Sequence, residues 1–131
     1  MEYKRKIYGY QCDIYGHLNN ANYLMIYEEA RSELLMKLGY SLEKLKQMGL
    51  HIYLTRVELK FKNAVLMEDN IIVKTTIAKI NRLHSTWQQQ IYNSVGELCN
   101  QATIEGVFVK NGKPQRISKE ILAKFTSFIE E

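Results

Sequence analysis

Residues 10–31 read YQCDIYGHLNNANYLMIYEEAR, and the fold turns on the change of character half-way along this stretch. Its first half is dense in small polar groups: Asp13, Gly16, His17, Asn19, Asn20 and Asn22. Its second half has helical period, with Tyr23, Tyr27, Ala30, Leu34 and Leu38 on one stripe, widened by Leu24 and Leu35. Glu28, Glu29, Arg31, Glu33 and Lys37 lie mostly opposite, with Glu33 and Lys37 spaced for an i,i+4 pair. The pattern predicts a helix over residues 21–38, closed by Gly39. At 1.5 Å per residue it is about 27 Å long, enough to cross a sheet. A polar turn holding a carboxylate and a histidine therefore feeds into a helix start, where unpaired N–H groups and the positive end of the macrodipole suit developing negative charge.

Outward from this stretch, Tyr3, Ile7, Tyr8 and Tyr10 among basic residues predict a first strand over 3–11. Ser41 is placed to cap a short second helix reaching Met48 and stopped by Gly49. From His51 the period becomes two: Val57, Leu59 and Phe61 alternate with Glu58, Lys60 and Lys62, the pattern of a half-buried strand. Three further strands are expected over 71–80, 84–93 and 98–110, with turns at Asn81-Arg82, Ser94–Glu97 and Asn111-Gly112. Ser118 caps a last helix with Ile121, Leu122, Phe125 and Ile129 on one stripe. Consecutive long strands with short turns imply an antiparallel sheet whose face receives the long helix, an α+β class in a single domain over 1–131. A small sheet of this kind leaves an edge open and a second face bare, and pairing with another copy solves both.

Bulk properties narrow the function. The 131 residues fit one domain, and 46% hydrophobic residues is ordinary for a globular protein. No apolar run approaches the ~20 residues of a membrane span, and the N-terminal MEYKRKIYGY has no signal-peptide core, so a cytoplasmic location is expected. Cys12 and Cys99 lack metal-ligand spacing and are expected as free thiols, Cys12 as a buried strand-end cysteine. The net charge of +4 is spread apart from Lys4-Arg5-Lys6, which argues against a nucleic-acid module with its concentrated basic patch. No Gly-x-Ser-x-Gly elbow, His-Glu-x-x-His or paired Cys-x-x-Cys occurs.

Asp13-x-x-Gly16-His17-Leu18-Asn19-Asn20-x-x-Tyr23, followed by Glu29-Ala30-Arg31, resembles the signature of the hotdog-fold acyl-CoA thioesterases of the 4-hydroxybenzoyl-CoA thioesterase type. The element order resembles that family over about residues 3–118. The resemblance implies the hotdog fold, a long antiparallel sheet wrapped around a central helix, with dimers or tetramers that join sheets edge to edge. It implies hydrolysis of an acyl or aroyl thioester to free acid and coenzyme A, with no cofactor besides the coenzyme A of the substrate. Asp13 matches the family's nucleophile or general base, and Asn20 matches the position whose backbone N–H polarises the thioester carbonyl. Some branches carry histidine where this chain has Asn20. His17 would orient Asp13, donate to the carbonyl or transfer a proton. Tyr23 is expected as pocket lining, and Glu29 with Arg31 as a structural polar pair on the helix. Arg82, His84 and Ser85 match the region that meets the pantetheine and nucleotide parts of coenzyme A, where a basic side chain at a bend suits a phosphate.

The alternatives are an acyl-carrier-protein thioesterase, which the basic surface suits equally well, dehydration of a hydroxyacyl thioester, and a non-catalytic acyl-CoA-binding module. The Asp-x-x-Gly-His-x-Asn-Asn pattern leans to hydrolysis.

Overall fold

Helix α1, Asn22–Leu38, is the longest helix and lies against one face of an antiparallel sheet. Its buried stripe is Tyr23, Ile26, Tyr27, Ala30, Leu34, Leu35 and Leu38; Ile26 replaces the expected Leu24, which is exposed. Gly39 ends it in the left-handed conformation, its N–H bonded to the Leu35 and Met36 carbonyls. The computed structural model describes residues 1–129, so Glu130 and Glu131, the end of the expected domain, lie outside the described residues.

The remaining elements are β1 (Glu2–Lys6), α2 (Leu42–Gln47), β2 (Leu50–Phe61), β3 (Asn70–Ile80), β4 (His84–Tyr92), β5 (Leu98–Lys110), β6 (Lys113–Pro114) and α3 (Lys119–Thr126). The strand order is β1-β3-β4-β5-β2, antiparallel throughout, with β6 paired on the end of β5. Ser41 and Ser118 cap α2 and α3 as expected, accepting from Lys44 N (3.1 Å) and Ile121 N (3.2 Å).

The first strand is shorter than the expected 3–11. After Ile7, whose N–H bonds to Asp69 O (2.9 Å), the chain leaves the sheet and winds a single 3-10 turn over Gly9–Gln11. The buried Gln11 side chain holds that turn, accepting from Tyr8 N (3.1 Å) and from the Arg5 guanidinium. Tyr8 and Tyr10 consequently stand in solvent.

The charged face of α1 pairs with the sheet instead of with itself. Glu29 accepts from Tyr3 Oη (2.7 Å) and forms an ion pair with Arg5 (2.8 Å). Arg31 Nη1 donates to Gln89 Oε1 (3.0 Å), so the expected Glu29–Arg31 pair does not form; residues two apart do not share a helix face. Among the described residues Glu33 and Lys37 make no ion pair. Beneath the helix, buried Gln89 donates to Tyr27 O (3.0 Å) and Thr75 Oγ1 (2.9 Å), and Tyr27 Oη donates to Asn100 Oδ1 (2.8 Å). Asn100 Nδ2 is buried without a partner among the described residues.

Strand β2 keeps the expected alternation, but the helix does not cover it. Val57 and Leu59 sit opposite Ile104 and Ala102 on the helix side of the sheet, yet Leu54, Val57 and Phe61 remain 48%, 38% and 54% exposed. The half-buried strand read from the sequence is thus, in one protomer, an apolar edge left open.

Candidate active site

The Asp13 turn is built almost wholly from backbone bonds. Gly16 N donates to Asp13 O (3.1 Å) and Asp13 N to His17 O (2.8 Å), with Gly16 at φ 75°, a conformation that suits glycine. Leu18 N reaches Val65 O (2.7 Å) and Met67 N reaches Gly16 O (2.9 Å), which ties the turn to the segment ahead of β3. Asp13 Oδ1 accepts from Tyr15 N (2.9 Å) and His17 N (3.3 Å). Asp13 Oδ2 has no partner among the described residues. One carboxylate oxygen is therefore fixed by the turn, and the other is available to a ligand.

Three asparagines divide the work of entering α1. Asn19 N donates to Gln11 O (2.9 Å), and Asn19 Oδ1 accepts from Ala21 N (3.0 Å). Asn22 Nδ2 donates to the same Gln11 carbonyl (2.7 Å). Asn20 is exposed, and neither its backbone N–H nor its side chain has a partner among the described residues. Among the described residues no side chain caps α1 at Ala21, and Asn20, the residue before that cap, lies at a helix start where anions are favoured.

The structure brings Asp13, His17, Asn20 and Tyr23 to one pocket of about 250 Å³. Its far wall is Phe61, Lys62, Asn63 and Ala64 at the end of β2, residues that nothing local in the sequence marks because they lie some fifty positions away. Tyr23 packs edge-on against Phe61 (5.2 Å between ring centroids), and burial pushes its hydroxyl pKa up, so it stays a neutral phenol. The His17 imidazole makes no hydrogen bond to Asp13; the link between the two residues is through the backbone. Cys12, expected to be buried, is half-buried, with Sγ 3.7 Å from Tyr8 O. Desolvation and then the Asp13 charge raise its pKa, which disfavours a thiolate nucleophile.

Arg82 and His84 line a second pocket, of about 590 Å³, together with Arg116. Arg82 is anchored there by Nε to Ile117 O (2.7 Å). The structure does not bring Ser85 to that surface: it is 3% exposed, and its Oγ accepts from Trp87 Nε1 (3.0 Å). Arg116 is the residue the sequence reading missed, because one arginine after a turn carries no signal of its own. A third pocket, of about 90 Å³, lies between α1, α2, β2 and β4, walled by Leu35, Leu42, Ile52, Leu54 and Trp87, with Glu28, Arg31 and Ser32 on its helix side.

A family model described as the thioesterase-like superfamily matches residues 9–125. The acyl-CoA thioester hydrolase YbgC of Escherichia coli is 25% identical over 122 residues, covering 92% of this chain and 91% of its own. A hypothetical protein of Aquifex aeolicus superposes with a TM-score of 0.90 at 27% identity, covering 95% of this chain and 98% of its own. The DHNA-CoA thioesterase of Staphylococcus aureus superposes with a TM-score of 0.89 at 25% identity, covering 96% and 90%. The curled antiparallel sheet around α1 is the hotdog fold.

Proposed function

The chain belongs to the thioesterase-like superfamily, and on that premise we propose that it is a thioester hydrolase that cleaves acyl-CoA to a free acid and coenzyme A. The observation that carries this reading is the Asp13 carboxylate, with one oxygen held by the turn and the other without a partner among the described residues, in a pocket that Asn20 also lines. In one course Asp13 Oδ2 takes a proton from water as the water oxygen bonds to the thioester carbonyl carbon. The tetrahedral intermediate then collapses, the C–S bond breaks, and the coenzyme A thiolate receives the proton. In the other course Asp13 itself attacks, the thiolate leaves, and water hydrolyses the resulting anhydride. Either way the oxyanion faces Asn20 N–H, a donor already oriented by the helix start. His17 lines the same pocket, and its role in this reading is to donate to the carbonyl or to transfer a proton.

Arg82, His84 and Arg116 form the basic surface for the phosphates of coenzyme A, and no separate cofactor enters the scheme. The acyl group takes the apolar pocket beside α1. Two copies pair through β2. Antiparallel pairing about the strand midpoint sets the Phe61 end of one β2, beside its Asp13, against the Leu50–Leu54 end of the other, beside the apolar pocket. The exposed Leu54, Val57 and Phe61 favour such a partner.

The test is release of free thiol from a panel of acyl-CoAs, run beside matched acyl-carrier-protein substrates to decide the donor. Turnover of acyl-CoAs that is lost in Asp13→Ala supports the reading. Binding without turnover across the panel would leave an acyl-CoA-binding module instead.

A further inference from the structure

The pocket between α1 and the β2–β4 side of the sheet contains one feature that a plain hydrocarbon group does not need. Its walls are apolar, yet Arg31, a half-buried residue, is part of its lining. Of the five N–H donors of an arginine, one is bonded, from Nη1 to Gln89 Oε1 (3.0 Å). Gln89 is a neutral amide and 1% exposed, and its own Nε2 is committed to Tyr27 O and Thr75 Oγ1. It anchors Arg31 in place without neutralising it. Among the described residues no carboxylate lies within 4.0 Å of the guanidinium. Glu28, one turn earlier on the helix and on the rim of the same pocket, attracts Arg31, but from an exposed position where water weakens the attraction without abolishing it. Removing a charge from water without an ionic partner is unfavourable, and a bidentate carboxylate is the partner a guanidinium fits best.

Size narrows the ligand further. At about 90 Å³ the pocket suits a short chain rather than a long one. Trp87 offers it only an apolar face, because the indole N–H is already given to Ser85. Gly106 keeps the wall in position: a Cβ there would come within 3.0 Å of Ile52 Cγ2.

We propose that the preferred substrates are coenzyme A monothioesters of short dicarboxylic acids, whose far carboxylate is held by Arg31. This rests on the thioesterase reading and on the acyl group occupying that pocket. The chemistry is unchanged: water adds to the thioester carbonyl, the C–S bond breaks, and the products are the dicarboxylate and the coenzyme A thiol.

The experiment compares kcat/KM for glutaryl-CoA and pentanoyl-CoA, which match in chain length and differ in the end group. It uses the full chain as wild type, Arg31→Gln, Arg31→Lys and Glu28→Gln. The wild type is expected to favour glutaryl-CoA by about tenfold or more, the size of a charge-assisted hydrogen bond. Arg31→Gln collapses that ratio, Arg31→Lys keeps part of it, and Glu28→Gln raises it by removing the one repelling charge at the rim. A wild-type ratio near one, or the same ratio in Arg31→Gln, overturns the proposal and leaves the thioesterase reading standing. If neither thioester is cleaved, the proposal falls, and the wider acyl-CoA panel decides the thioesterase reading on its own. If Arg31→Gln does not fold, the wild-type ratio and the rise in Glu28→Gln still decide.

Discussion

Replacing Asp13 by asparagine separates the two tasks that the structure gives this carboxylate. The substituted side chain retains an oxygen that can accept from Tyr15 N and His17 N, at present 2.9 and 3.3 Å away from Asp13 Oδ1. The second oxygen is exchanged for an amide nitrogen that can neither take a proton nor attack a carbonyl. The two turn bonds change from charge-assisted to neutral, which costs about 1–2 kcal/mol on a partly exposed site. For a domain of this length that is a fall in Tm of about 3–10 °C. Catalysis loses its base or nucleophile, and kcat/KM for the best acyl-CoA falls by about 10²- to 10⁴-fold. Asp13→Ala loses the turn bonds as well, so its Tm falls further, but its activity falls no more than that of the asparagine variant. The assay is free-thiol release at saturating and sub-saturating substrate, with melting followed by circular dichroism on the same samples. If Asp13→Asn keeps about a third or more of wild-type kcat/KM, well short of a general-base loss, the carboxylate is not the reacting group. If activity instead tracks Tm across the two variants, Asp13 acts only through the turn.

Four other outcomes are expected. Tyr27→Phe strands the buried Asn100 amide and lowers stability by about 1–3 kcal/mol in denaturant melts, whereas adding Asn100→Leu recovers most of the loss because neither group then needs a partner. Burial, then the hydrogen bond and charge of Glu29, push the Tyr3 hydroxyl up to about 12. Its folded pKa exceeds its unfolded one, so its contribution to stability is complete below about pH 10 and is lost as pH rises through about 12; Tyr3→Phe should flatten that alkaline limb in pH-dependent melts. Val57→Lys charges the open β2 edge and should give monomers in sedimentation with loss of turnover, while a variant that stays dimeric and active removes β2 as the interface. Asn20→Ala keeps the backbone N–H and should hold kcat within about threefold, whereas a fall of about 10²-fold assigns the oxyanion contact to the side chain.

Much of the architecture was legible because it rests on local periodicity. The 3.6 period after Asn22, the glycine at 39, the serines at 41 and 118 and the period-two runs each act within a few residues, and each lies where the residues themselves require it. Three readings were displaced. Tyr8 and Tyr10 read as strand, but Gln11 closes a turn beneath them through contacts that include Arg5. Glu29 and Arg31 read as a pair, but each had a better partner on the sheet, at Arg5 and Gln89. Ser85 read as surface, but strand alternation turns it inward toward Trp87.

Short-range chemistry was thus enough to set the elements, their order and the polar turn feeding the helix, because capping, turn residues and periodicity all act between near neighbours. Folding was needed to bring the end of β2 round as a wall of the Asp13 pocket. Folding also set Arg116 beside Arg82 and left Arg31 on an apolar pocket with no carboxylate among the described residues in ion-pair contact. Each of those facts depends on strands pairing across tens of residues. Register and burial fix such pairings, and no local pattern encodes them.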